Sequence, residues 1–332
     1  MTTSFHFERF EPSDLGQERS IEMYSTMLKI RIFENKVQEL FQNNPITGAV
    51  HLCTGQEAIY SGAAAAISVS DYVTCTYRGH GVFISRGSDL RKLMAEVLGR
   101  SEGLCKGKGG SMHFTDLERG LLGSFAIVGE GITVAIGAAL TSEVMKEGRI
   151  AVSFFGEGAS NIGMFHESLN MASVWKLPVV FICENNLYGE YSPMEKTTAV
   201  RDVAIRATSY DIPGVIVDGN NVLDVYSKVR VAAERARKLK GPTLLECKTY
   251  RKRGHSEIDS AKYRPVEELR HWESRDPIEH FRKILMKENY LSESADEKIR
   301  AEMHSLIDDS ANFALSSQQP SMDEITTDVY SK

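Results

Sequence analysis

Short apolar runs alternate with helical stretches along most of this chain, and that alternation constrains its fold more than any other feature. Strand-like runs are predicted at Tyr72–Thr76, Ile150–Phe155, Val179–Cys183, Val215–Val217 and Thr243–Lys248. Most are rich in Val, Ile, Leu or Phe, which suits strands covered on both faces of a parallel sheet. Between them lie helical patterns. Gln56–Ile67 is alanine-rich, and Ile132–Met145 follows a glycine turn. In Ile162–Trp175 the apolar set Ile162, Phe165, Leu169 and Ala172 falls at offsets 0, 3, 7 and 10, one helix face. Val222–Leu239 repeats the pattern with Val222, Val225, Val229, Ala232, Ala233 and Ala236. Strands alternating with helices predict an α/β fold with a doubly wound, mainly parallel sheet.

The end of the chain reads differently. Asp276-Pro277 forms a cap and first helical turn, and Ile278, Phe281, Ile284 and Leu285 continue it as an apolar stripe. Lys298–Leu315 is a second helical stretch. The expected organisation is an N-terminal arm at 1–20, an α/β domain at 21–270, and a helical tail at 271–332. The tail is expected to pack on the domain or on a partner. Three regions read as irregular: Ser85–Gly131, helical only at Asp89–Leu98, then Tyr188–Val200 and Arg251–Pro265. Long loops inside α/β domains are often functional.

Composition excludes several classes. Of 332 residues, 42% are apolar and 26 are glycine, together about half, which is ordinary for a globular chain and too apolar for disorder. The longest apolar stretches, such as Gly62–Ile67 and Leu177–Cys183, fall far short of the ~20 residues a membrane span needs. The net charge of −6 disfavours broad nucleic-acid binding. The basic stretches Arg235–Lys240 and Arg251–Arg253 read as solvated faces. Met1–Gly16 has neither the apolar core of a secretory signal nor the arginines of a transit peptide. The five cysteines are scattered, with no Cys-x-x-Cys pair, so a reducing cytoplasm is expected, without disulfides or zinc.

The chemistry starts at Ile150–Gly158, where an apolar run enters Gly156-Glu157-Gly158 and a helix follows. Ligands of open α/β sheets sit beyond the carboxyl ends of strands, and a helix start offers N–H groups to a phosphate. Glu157 would repel that phosphate unless a cation lay between them, which suggests magnesium bridging a diphosphate. Val179–Cys183 then ends in Glu184-Asn185-Asn186. The 26 residues between Gly158 and Asn185 span a loop, a helix, a turn and a strand. That spacing returns Asn186 to the same sheet edge, beside Glu157, and an amide oxygen beside a carboxylate makes a magnesium site.

This pairing resembles the thiamin diphosphate signature, and the likeness extends in order along roughly residues 20–285. It includes His51-Leu52-x-x-Gly55-Gln56-Glu57-Ala58, Tyr77-Arg78-Gly79-His80-Gly81 and Gly107-Lys108-Gly109-Gly110-Ser111-Met112-His113. Ile127-Val128-Gly129 and Tyr250-x-x-x-Gly254-His255-Ser256 complete the set. The chain is similar to the α subunit of the thiamin-dependent first component of 2-oxoacid (pyruvate or branched-chain type) and acetoin dehydrogenase complexes. The resemblance implies cleavage of a 2-oxoacid or acyloin, with the acyl unit passing to a lipoyl transacylase or another carrier. It implies that Glu157, the Asn186 side chain and the Tyr188 carbonyl hold magnesium. Tyr77, Arg78 and His255, with the backbone of Gly158 and Ala159, would contact the diphosphate of thiamin diphosphate. The backbone of Ala126 and Val128 would hold the aminopyrimidine, and His51, His80 and His255 would line the approach to the reactive carbon. Outside those motifs His51 and His80 read as packed core histidines, Lys106 and Lys108 as solvated loop lysines, and Phe165 and Leu169 as core.

The carboxylate that activates the aminopyrimidine is expected from a β subunit, in an α/β hetero-oligomer, expected as an α2β2 heterotetramer. The chain departs from the family pattern at Glu157, where Asp is usual; the extra methylene moves the carboxylate by about 1.2–1.5 Å. It departs again at Ser124-Phe125-Ala126, where Phe125 would narrow the pocket or change its polarity. Three other readings remain at this point. One is a transketolase-like two-carbon transfer to a carrier protein or aldehyde, and one is a regulatory subunit that has lost cofactor binding. The third is a dinucleotide-binding dehydrogenase, against which stands the missing third glycine at Asn161.

Overall fold

The computed structural model describes residues 10–43, 46 and 48–330. In it the five apolar runs become five strands of one parallel sheet. The strands are β1 (Tyr72–Thr76), β2 (Leu121–Phe125), β3 (Ala151–Gly156), β4 (Val179–Asn185), β5 (Tyr188–Gly189), β6 (Ser192–Pro193), β7 (Gly214–Asp218) and β8 (Thr243–Lys248). Six of them pair in the order β2-β1-β3-β4-β8-β7, every pair parallel. β5 and β6 make a small antiparallel hairpin.

The helices are α1 (Pro12–Leu15), α2 (Gln17–Asn43), α3 (Glu57–Ala66), α4 (His80–Ser85), α5 (Leu90–Val97) and α6 (Glu130–Met145). They continue with α7 (Gly163–Val174), α8 (Met194–Thr197), α9 (Val222–Arg237), α10 (Val266–Glu273), α11 (Pro277–Lys287) and α12 (Glu293–Ser316). Among the described residues none is long and apolar enough to cross a membrane.

Side chains of the inner strands divide between two cores because successive residues of a strand point to opposite faces. Val152, Phe154, Val180 and Ile182 pack with α3, α5 and α9. Ala151, Phe155, Val179 and Phe181 pack with α6 and α7 on the other face. Phe165 and Leu169 sit in that second core, as expected from the helical stripe. The whole of β4 is buried, which explains its unbroken apolar run.

β2 and α2 were not legible as elements. β2 lies at the sheet edge, carries Gly123 and Ser124, and pairs with β1 across an irregularity. α2 already runs from Gln17, so only part of the expected arm at 1–20 precedes it, and residues 1–9 lie outside the described residues. The tail helices pack on α2 and α3 through Ile278, Phe281 and Leu285, which meet Met23, Tyr24 and Met27. Asp276 caps α11 as expected, accepting from the N–H groups of Ile278 and Glu279. Lys106 and Lys108 are exposed, as expected, and also make surface hydrogen bonds to the segment after α12: Lys106 donates to Asp328 at 2.8 Å, and Lys108 to Thr327 Oγ1 at 2.6 Å.

Candidate active site

The carboxyl ends of β1, β2, β3 and β4 meet around one cavity of about 260 Å³. Topology puts it there. The chain passes from β1 to β2 on one side and then crosses to β3 on the other, so the strand order reverses between β1 and β3 and opens a crevice.

β3 stops at Gly156, and Glu157–Asn161 makes a tight 3₁₀ turn before α7. That turn buries Glu157, which is 2% exposed. β4 runs in register beside β3, with Gly156 opposite Glu184, so Asn186 arrives at Glu157. The Asn186 backbone N–H donates to Glu157 Oε2 at 3.2 Å. Leu187 then adopts φ +73°, and the Tyr188 N–H donates back to Asn186 Oδ1 at 3.4 Å.

Glu157 Oε1 is buried without a hydrogen-bond partner among the described residues. Burial holds this carboxyl above its ordinary value. An unpartnered buried carboxylate oxygen is costly alone, and it is the donor type a hard divalent cation takes. Among the described residues no three His, Cys, Asp or Glu side chains cluster to cage a metal. A cation beside Glu157 and Asn186 would therefore complete its shell from a carbonyl and from phosphate or water oxygens.

Positive charge faces the same cavity. Arg78 is buried, donating to the carbonyls of Leu52 at 2.6 Å and His255 at 2.9 Å. Arg251 is 2% exposed and donates to the carbonyls of Glu190 at 3.1 Å and Arg253 at 3.3 Å, and to the Tyr263 hydroxyl at 3.2 Å. Burial, and then repulsion from Arg78, pulls its guanidinium down to about 9. Two buried guanidiniums whose hydrogen bonds go to neutral groups, with Glu157 and Glu184 acting on them across the cavity, are matched to an anion with fork-accepting oxygens. Arg251 corrects the reading of Arg251–Arg253 as a solvated face. The signal was present: it lies inside the motif from Tyr250 to His255.

Of the predicted site residues, Tyr77, Arg78, Val128, Glu157, Gly158, Ala159, Asn186 and Tyr188 line the cavity. Ala126 does not, but Phe125 and Ile127 on either side of it do. His51 and His255 border the cavity through Tyr77, with ring centroids 4.6 and 5.8 Å from it and 4.9 Å from each other. Burial, then Arg78, pulls His51 down to about 2 and His255 to about 4. Both imidazoles are therefore neutral near pH 7, and each has a buried Nδ1 without a hydrogen-bond partner among the described residues.

His80 is placed elsewhere. It is fully buried; Nδ1 donates to Glu34 Oε2 at 2.8 Å and Nε2 pairs with Ser111 Oγ at 2.9 Å. Phe33 and Phe114 pack against its ring. With both nitrogens engaged and no place on the cavity wall, it does not line the approach as expected; it ties α2 to the loop before β2.

Sequence reasoning also left Gln56 and Glu184 without a role, although both line the cavity. Burial pushes Glu184 up to about 7. Its Oε1 accepts from Gln56 Nε2 at 3.2 Å, so it is turned inward rather than offered to a ribose, against the dinucleotide reading. The mouth is apolar: Ile127 is 63% exposed and Val128 48%. Behind it Gly129, at φ +81°, starts α6 where a side chain would run into Ile162.

The model of the dehydrogenase E1 component family matches residues 24–323. The chain is 46% identical over 321 residues to the α subunit of acetoin:2,6-dichlorophenolindophenol oxidoreductase from Bacillus subtilis (strain 168), covering 96% of each. It is 39% identical over 318 residues to the α subunit of the pyruvate dehydrogenase E1 component from Rhizobium meliloti (strain 1021), covering 96% of this chain and 91% of the relative. With the chloroplastic pyruvate dehydrogenase E1 component subunit alpha-3 of Oryza sativa subsp. japonica it shares 38% over 328 residues, 96% of this chain and 77% of the relative.

Proposed function

The chain belongs to the dehydrogenase E1 component family, and from that premise we propose that its cavity binds thiamin diphosphate through magnesium. The chain acts as the α subunit of an enzyme that cleaves a 2-oxoacid or an acyloin and transfers the acyl unit. The observation that carries this reading is the charge arrangement in one cavity. An unpartnered Glu157 oxygen and the Asn186 amide lie at one wall, and the buried guanidiniums of Arg78 and Arg251 join them.

The residues fit the group. Glu157 Oε1, Asn186 Oδ1 and the Tyr188 carbonyl would hold magnesium, in the hard-oxygen set this ion takes. Arg78 and Arg251 would neutralise the diphosphate, with Tyr77 and the Gly158 and Ala159 backbone beside them. His255, whose carbonyl already holds Arg78, would complete that end. The backbone at Ala126 and Val128 would hold the aminopyrimidine. Bound there, the cofactor supplies an electron sink for the pair released when a bond to a carbonyl carbon breaks.

The chain's own contribution to that step is proton handling and water exclusion. His51 and His255 stand neutral at the cavity edge, and a diphosphate that offsets the nearby guanidiniums would raise them toward the range in which an imidazole exchanges protons with substrate and product. The exposed apolar mouth at Ile127 and Val128 calls for a covering chain, and a β subunit is that partner, supplying the carboxylate that activates the aminopyrimidine. The acyl unit passes on to a lipoyl transacylase or another carrier. The unpaired cysteines, four of them buried, suit the cytoplasm.

The test is turnover by the chain co-purified with its β subunit, using dichlorophenolindophenol as electron acceptor. Acetoin is the first substrate to try, given the higher identity to the acetoin relative, then pyruvate and branched-chain 2-oxoacids. Dye reduction that requires thiamin diphosphate and magnesium is expected. Reduction with neither substrate class, by a complex that binds the cofactor, would overturn the proposed reaction.

A further inference from the structure

The segment Gly55-Gln56-Glu57-Ala58 opens α3 beneath the cavity, and the metal and phosphate contacts above do not use it. Glu57 has a structural role, accepting from the Gly55 N–H and from Arg31. Gln56 has none yet. It is fully buried, it lines the cavity, and its amide lies between Glu184 and Asn186.

The hydrogen bonds through Gln56 have one direction. Its Nε2 donates to Glu184 Oε1 at 3.2 Å and to the Tyr60 hydroxyl at 2.9 Å. Tyr60 in turn bonds to Glu184, so both groups converge on that side chain. With the Gln56 nitrogen turned to Glu184 and Tyr60, Oε1 faces the other way. There it accepts from Asn186 Nδ2 at 3.4 Å. The Asn186 nitrogen is thereby occupied, and Oδ1 is left on the side of the Tyr188 N–H, while the backbone N–H of Asn186 itself donates to Glu157 Oε2.

We infer that Gln56 is a positioning residue: it fixes which end of the Asn186 amide faces the metal position beside Glu157. This rests on the metal site proposed above. An asparagine turned by 180° would present its NH₂ to the cation, and an amide has no preference of its own between the two ends. Gln56 supplies that preference from a rigid base, since the start of α3 is packed against α2 and α9. Outer partners of metal ligands are worth about 10–100-fold in affinity when they orient a ligand.

The experiment uses the full chain co-purified with its β subunit, loaded with thiamin diphosphate and titrated with Mn²⁺. Bound ion is read by electron paramagnetic resonance, and Mg²⁺ affinity by competition. Gln56→Leu is expected to weaken Mn²⁺ binding by about 10–100-fold. In an Asn186→Asp background the same change is expected to matter far less, because a carboxylate presents oxygen at both ends. Equal loss in both backgrounds would overturn the inference, since it would mark a general disturbance of α3. So would unchanged affinity in Gln56→Leu while Glu157→Ala and Asn186→Ala lose the ion. If those two variants bind Mn²⁺ as the parent does, the metal site itself is wrong and the inference falls with it. Gln56→Met, closer in volume, carries the same comparison should Gln56→Leu fail to assemble.

Discussion

Single residues of the cavity bury charge that a ligand would offset. Glu157 is an acid held above its ordinary value by burial, so the folded chain binds its proton more tightly than the unfolded chain does. By linkage, stability is then lost as pH rises from the ordinary carboxyl range through the raised value. Glu157→Gln is therefore expected to melt higher than the parent at pH 8 without metal or cofactor, the difference closing toward pH 4. The same change should abolish the stabilisation that magnesium with thiamin diphosphate gives, as scanning calorimetry would show. Arg251→Gln is expected to weaken thiamin diphosphate binding by about 10–150-fold, the worth of one hydrogen bond to a charged group. Calorimetric titration checks it. His255 should titrate near pH 4 in the cofactor-free protein and move upward when a diphosphate offsets the two guanidiniums. Imidazole NMR shifts give that value directly. Because its folded value lies below the unfolded one, His255 costs stability as pH falls below about 6.5.

The elements show what was legible and why. Runs buried on both faces, such as β3 and β4, are visible because every position is apolar, and their spacing alone brought Asn186 to Glu157. β2 was invisible because an edge strand with Gly123 and Ser124 has little pattern of its own; pairing with β1 makes it a strand. α2 was missed because several partners, α3, α11 and α12 among them, bury it on different sides and blur a single stripe. The same limit applied at the site: whether an arginine or a histidine faces solvent, a ligand or the core depends on contacts from distant segments. Arg251 and His80 were misplaced for that reason.

One such distant contact is Asp276. It caps α11, pairs with Arg31 of α2, and bonds Lys252, the residue after Arg251. Arg31 and Lys252 outweigh burial and bring this acid down to about 2, so its contribution is present above the ordinary carboxyl value and lost as pH falls toward 2. Asp276→Ala is expected to cost about 2–4 kcal/mol at pH 7, from a lost cap and an uncompensated partly buried charge. Urea unfolding measures it, and at pH 2 the difference should shrink.

For the whole molecule, the cavity opens beside an apolar mouth formed by Ile127 and Val128. In the proposed function the α chain forms one half of the cofactor site and a β subunit the other. As proposed, this half-site takes the diphosphate through a divalent ion held at Glu157 and Asn186. The most direct measurement is calorimetric titration of the α/β complex with thiamin diphosphate, in magnesium and again in excess EDTA, with Glu157→Ala beside it. Binding in magnesium that disappears both in EDTA and in the variant is the expected result. Equal binding in all three samples, or binding of NAD in place of thiamin diphosphate, would contradict the account.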